Sequence, residues 1–217
     1  MKATKDAAEL TRQLLEDMPG RRRAVVLLLA YLRDAHTPEA VRAEIARIQA
    51  HDASAYSAGS YCMLLEEAGA IERLAIDGAV LSNERQSPEV VEEDGGRFYK
   101  PGPKLAFMWK VTQAGAQVLR ENDPDVLIDT LMETDGKYRD IYARIMRMCT
   151  QQGCPISVLN DAVDLDPLVQ EPPLKASHFV ERLEKAGVLA WDGLWMTTDA
   201  GIDWLGADAA GMRGSRA

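Results

Sequence analysis

The sequence predicts a mainly α protein with small β-hairpins (α+β), built from two copies of one unit. A repeated phrase carries the duplication. Leu65-Glu66-Glu67-Ala68-Gly69-Ala70-Ile71 is followed by Trp109-Lys110-Val111-Thr112-Gln113-Ala114-Gly115-Ala116-Gln117-Val118-Leu119. Leu183-Glu184-Lys185-Ala186-Gly187-Val188-Leu189 is followed by Trp195-Met196-Thr197-Thr198-Asp199-Ala200-Gly201-Ile202-Asp203-Trp204-Leu205. The shared skeleton is L-E-x-A-G-apolar-apolar, then W-x-x-T-x-A-G-x-x-x-L, and self-similarity of this kind means one supersecondary unit used twice. Apolar residues at helical spacing ahead of each phrase supply the helices. With 47% apolar and 27% charged residues, each half can bury its own core.

Five segments are expected: a helix over 1–20, a first unit over 21–121, a helical connector over 122–136, a second unit over 137–206 and a fraying tail over 207–217. Residues 4–18 place Ala7, Leu10, Leu14 and Met18 on one helical face, and Pro19-Gly20 ends that helix. The apolar run from Ala24 to Leu32 lies in a buried helix over 22–35, because nine residues fall far short of the roughly 20 needed to span a bilayer. Thr37 caps the next helix, 38–49, with Pro38 in its first position. A third helix runs from about 55 to 68, and Gly69 ends it in a left-handed turn. Strands are expected over 70–76 and 107–111 with some thirty residues of loop between them, and Thr112 caps a helix over 113–121.

The connector helix, about 124–133, presents Val126, Leu127, Leu131 and Met132. The second unit repeats the order. Its first helix, 137–152, matches Ile141, Ile145 and Met148 to Val25, Leu29 and Leu32 at an offset of 116. Helices over 156–163 and 174–186 follow, with a polar, Pro-rich stretch between them. A hairpin then turns at Asp192-Gly193, since a D-G pair between apolar runs favours a tight two-residue turn. A last helix covers 199–205. The helix phrases lie 118 residues apart and the strand phrases 86, so the first copy carries 32 more residues between its strands.

Three cysteines, Cys62, Cys149 and Cys154, make no C-x-x-C pair and read as reduced thiols in packed surroundings. Neither they nor the scattered His36, His51 and His178 have metal-ligand spacing, so no metal and no cofactor is expected. No nucleophile elbow, phosphate loop or H-E-x-x-H is present, and the chain is expected not to be an enzyme. No signal or membrane-spanning segment is read, which implies a cytoplasmic protein with no membrane partner.

Net charge is −9 and is unevenly spread. Residues 1–50 hold nine Lys/Arg against seven Asp/Glu, residues 51–123 seven against twelve, and residues 124–217 nine against fifteen. Nucleic-acid contacts, which need a basic footprint, must therefore be local.

The order of three helices, a two-stranded hairpin and a closing helix, with the repeated phrase, resembles the winged helix-turn-helix of bacterial regulators of the MarR and PadR kind. In many of these the third helix ends in a Leu-Glu-x-x-Gly-Leu-Ile-like phrase and the returning strand runs into Thr-x-x-Gly-x-x-x-Leu. The resemblance covers roughly 22–121 and 137–206 and implies two tandem winged helix-turn-helix domains. It also implies a third helix in the DNA major groove and a wing beside the backbone.

On that reading the second third-helix offers Lys175, Ser177, His178 and Arg182, and the first offers Ser54, Tyr56, Ser57 and Ser60. The long first wing adds Arg97, Lys100 and Lys104 among several acidic residues, and Arg21-Arg22-Arg23 forms a candidate phosphate clamp. The first third-helix lacks cations, so the second is the expected reader. The resemblance thus implies a DNA-binding transcriptional regulator. The alternative is an acidic tandem winged-helix protein-interaction module, similar in architecture to the small accessory subunits of bacterial chromosome-condensing complexes. A homodimer through the terminal or connector helices is a further expectation.

Overall fold

The computed structural model describes residues 6–50, 56–81, 89–93, 96–100 and 106–210; in 89–93, in 96–100 and at Ala209 only the backbone is described. The chain is mainly helical, with three two-stranded antiparallel sheets among the described residues. It divides into two compact units. One comprises Met1–Pro19, Leu27–Ile48 and Ala55–Ala116; the other comprises Gly20–Val26, Gln49–Ser54 and Gln117–Ala217.

In chain order the elements begin with α1 (Ala7–Asp17), α2 (Arg22–Tyr31), α3 (Pro38–Ile48) and α4 (Ala58–Glu67). Four strands follow, β1 (Ile71–Ala75), β2 (Glu89–Glu93), β3 (Gly96–Lys100) and β4 (Phe107–Val111), then α5 (Gln113–Glu121). The remainder is α6 (Pro124–Thr134), α7 (Arg139–Met148), α8 (Ile156–Val163), α9 (Ala176–Lys185), β5 (Leu189–Trp191), β6 (Trp195–Thr197) and α10 (Asp199–Ala209). Among the described residues no helix is long and apolar enough to cross a membrane.

In the first unit Leu28 and Leu29 of α2, Leu32 just beyond it, Val41 and Ile45 of α3 and Tyr61 and Leu65 of α4 are buried. α1 belongs to this unit. Its buried face is Ala8, Thr11 and Leu15, one residue on from the expected stripe, and Leu10 is exposed. Thr11 tolerates burial because its hydroxyl donates to the Ala7 carbonyl at 2.8 Å. Ala7 also meets the α4–β1 corner, where Gly69 turns at φ +74° and an added Cβ would lie 2.9 Å from the Ala7 Cβ.

The expected thirty-residue loop is wrong. β1 pairs with β4 in the register Ile71 to Val111, but it also pairs on its other side, where Leu81 N–H donates to Arg73 at 2.8 Å after a turn at Asp77-Gly78. Further on, β2 and β3 form a second antiparallel hairpin, Val90 opposite Tyr99. The first of these turns centres on a D-G pair, Asp77-Gly78, the same dipeptide that marks the hairpin of the second unit.

The second unit has one continuous core drawn from α6, α7, α8, α9, β5 and α10, centred on Ile128, Tyr142, Phe179, Leu183 and Trp204. α6 is thus part of this core. Ile128 is fully buried, whereas Val126, expected on the apolar side, is 55% exposed. The aligned helices also differ from the expected offset. Leu32 and Cys149 both accept from the returning strand, through Val111 N–H and Thr197 N–H, so the offset is 117. At 117 every buried position of α2 falls on a buried position of α7, from Val25 on Tyr142 to Leu29 on Met146. Cys149, not Met148, is the core residue. α10 runs to Ala209, four residues beyond its expected end.

The two units share a hydrogen-bond set. His36 bridges to Trp109 as Cys154 bridges to Trp195, adding a short third edge to each hairpin. Thr112 Oγ1 donates to the Gly69 carbonyl at 2.7 Å and accepts from Gly115 N–H at 3.1 Å. Thr198 does the same with Gly187 at 2.8 Å and Gly201 at 3.4 Å. The glycine that follows is required by contact: a Cβ on Gly115 would lie 2.1 Å from the Ala70 carbonyl oxygen, and one on Gly201 2.5 Å from that of Val188.

Helix propensity alone makes Gly to Ala favourable by up to about 1 kcal/mol. At Gly201 the clash reverses the sign, and Gly201→Ala is expected to destabilise the protein by about 2 kcal/mol, as overpacked sites do. Gly206→Ala in the same helix meets nothing within 4 Å and is expected to be neutral or stabilising. Denaturant melts of the two variants test the contrast.

Candidate functional site

The expected reading head of the second unit is α9. Its first amide is capped from outside the helix, since Asp164 Oδ1 accepts from Ala176 N–H at 2.8 Å. The other oxygen of Asp164 lies 3.3 Å from Lys175 Nζ, a largely exposed ion pair of small energetic weight. Ala176, Phe179, Val180 and Leu183 face the core. The remaining positions divide into two stripes, and they do not form the single face of Lys175, Ser177, His178 and Arg182 expected from sequence.

The outward stripe is Ser177, Glu181 and Glu184, all exposed. The second stripe, His178, Arg182 and Lys185, lines an opening shared with Leu127, Leu131 and Thr134 of α6. His178 stands edge-on to Phe179, ring centroids 5.3 Å apart. Arg182 is committed. Its Nη1 donates to Asp135 Oδ2 at 2.6 Å, and the Tyr142 hydroxyl donates to the same oxygen at 2.9 Å. Burial, reinforced by that carboxylate, pushes the Tyr142 hydroxyl upward, so it stays a neutral donor. This cluster ties the end of α6 to α7 and α9.

The first unit has the same layout without the cations. Buried Tyr61, Cys62 and Leu65 of α4 lie at the positions of Phe179, Val180 and Leu183, an offset of 118. Its exposed positions are Gly59 and Met63, the counterparts of Ser177 and Glu181, and Glu67, the counterpart of Lys185. The expected hydroxyl contacts are used locally. Ser57 caps α4 by accepting from Ser60 N–H at 3.1 Å, and the two hydroxyl oxygens lie 2.9 Å apart. Tyr56 is half-exposed, its ring 5.6 Å from that of Tyr61. Glu66 holds Arg73 at 2.7 Å, and Arg73 also lies 5.8 Å from the Phe107 and Trp109 ring centroids. Ser54 and Lys104 lie outside the described residues, as do the side chains of Arg97 and Lys100 on β3.

Of the arginine cluster, Arg21 ends a short 3-10 turn and Arg22 opens α2. Arg22 donates through Nη2 to Asn122 Oδ1, and the buried Asn122 donates in turn to the Val118 carbonyl at 2.7 Å. Arg23 lies within electrostatic reach of Glu184. The cluster is not a set of three outward cations, since Arg22 is a joint in the second unit.

Sequence reasoning placed the hairpin of the second unit but did not single out its tip as a candidate surface. Trp191 pairs with Trp195 across the turn, their rings edge to face at 5.3 Å, and Trp191 is 47% exposed. Exposed Leu194 and Asp192 complete the tip. The signal was present as a Trp directly before the D-G turn, in register with a second Trp on the same face of the hairpin. Cys62, Cys149 and Cys154 are buried and unbridged, and burial pushes the Cys62 and Cys149 thiols up to about 12, which suits packing and not nucleophilic chemistry.

Removing the Asp135 carboxylate leaves a buried Tyr142 hydroxyl without its acceptor. Asp135→Ala is expected to cost about 2 kcal/mol, mostly from that unsatisfied donor, because the Arg182 side chain is 40% exposed and its share is screened. Asp135→Asn, which keeps an acceptor oxygen, should cost less; chemical denaturation of the two variants tests the order. Comparison with protein-family models, curated proteins and solved structures finds no match for the chain.

Proposed function

We propose that the protein is an acidic tandem winged-helix module that binds another protein. The winged-helix part of the reading rests on the repeated order of three helices, hairpin and closing helix, with the short bridge at His36 and Cys154 as the third edge of each hairpin. The observation that carries the function is the outward stripe of α9. It presents Ser177, Glu181 and Glu184, while Arg182 is spent on Asp135. Lys and Arg that neutralise phosphates and displace counterions supply a large share of the affinity of DNA-binding proteins. Two carboxylates in that position repel the backbone instead. The hairpin tip supports the same reading. Where a DNA-binding wing would carry Arg or Lys, this one carries Trp191, Asp192 and Leu194, and Trp is the residue most enriched among interface hot spots.

The second reading is a DNA-binding transcriptional regulator. It is favoured by the duplicated order and by Lys175 and Lys185, both exposed on α9.

Duplex DNA titrated at about 50 mM salt separates the readings, since electrostatic binding is strongest there. No binding above background is expected. Salt-dependent retention that Lys175→Glu weakens would overturn the proposal. In affinity purification from the native cell a stable protein partner is expected, with Trp191→Asp reducing its recovery at least tenfold and leaving the thermal midpoint unchanged. Equal recovery by Trp191→Asp removes the hairpin tip from the interface.

A further inference from the structure

We draw no further inference here: the strongest candidate, the apolar opening between α6 and α9 floored by Leu127 and Leu131, carries nothing because nothing in the structure shows what covers it.

Discussion

The structure depends on a clasp made by one threonine in each unit. Thr112 and Thr198 start the closing helix, accept one of its free amides, and donate to the carbonyl of the left-handed glycine that ends the third helix. One hydroxyl therefore joins the last turn of one helix, the first turn of another and the strand between them. Without it, a carbonyl and an amide near the helix–strand–helix corner of each unit would need other partners, and unpaired buried groups cost about as much as a lost hydrogen bond. The glycine three residues after each threonine completes the corner by letting α5 and α10 sit on the carbonyls of Ala70 and Val188. This explains why the phrase T-x-A-G survives in two copies whose surfaces have otherwise diverged.

Given that frame, the surfaces differ by how each unit disposes of charge. In the second unit the cations of α9 are turned along α6, and the strongest is neutralised by Asp135. A buried or half-buried ion pair is retained less for net stability than for fixing how elements meet. The Asp135 cluster does this at the junction of α6, α7 and α9. The consequence for recognition is indirect but large. Once Arg182 is committed inward, the outward face of α9 is left to Ser177, Glu181 and Glu184.

The repeat, the helix order and most helix ends were legible in the sequence because each rests on local chemistry. Thr37 and Thr112 cap, Gly69 and Gly187 turn, Pro38 opens a helix, and Asp192-Gly193 folds a hairpin. The segment between β1 and β4 was misread because Asp77-Gly78 was not given the weight granted to Asp192-Gly193, although the chemistry is the same. The offset of 116 failed for a different reason. A helix repeat of 3.6 lets Met148 imitate Leu32 almost as well as Cys149 does, and only the strand pairing to Thr197 fixes the register. The functional faces were the least legible. Side-chain exposure on α9 depends on where α6 lies, and nothing in the spacing of Lys175, His178 and Arg182 encodes a neighbouring helix.

That dependence also bears on how a duplicated frame of helices and hairpin changes its surface. The exposed chemistry of a third helix can be altered without touching the core by laying another helix along one flank. α6 does this with ordinary means: Asp123 caps its start, Pro124 takes the first position against Gly187, and Asp135 closes its end on Arg182 and Tyr142. Each contact is made by a residue outside the repeated phrase. The duplicated corner can therefore stay constant while the added helix redirects cations inward and creates a new apolar edge from Leu127 and Leu131. On this argument the information that sets the exposed chemistry of α9 lies in the segment joining the two copies and in the way it covers α9, more than in the copies themselves.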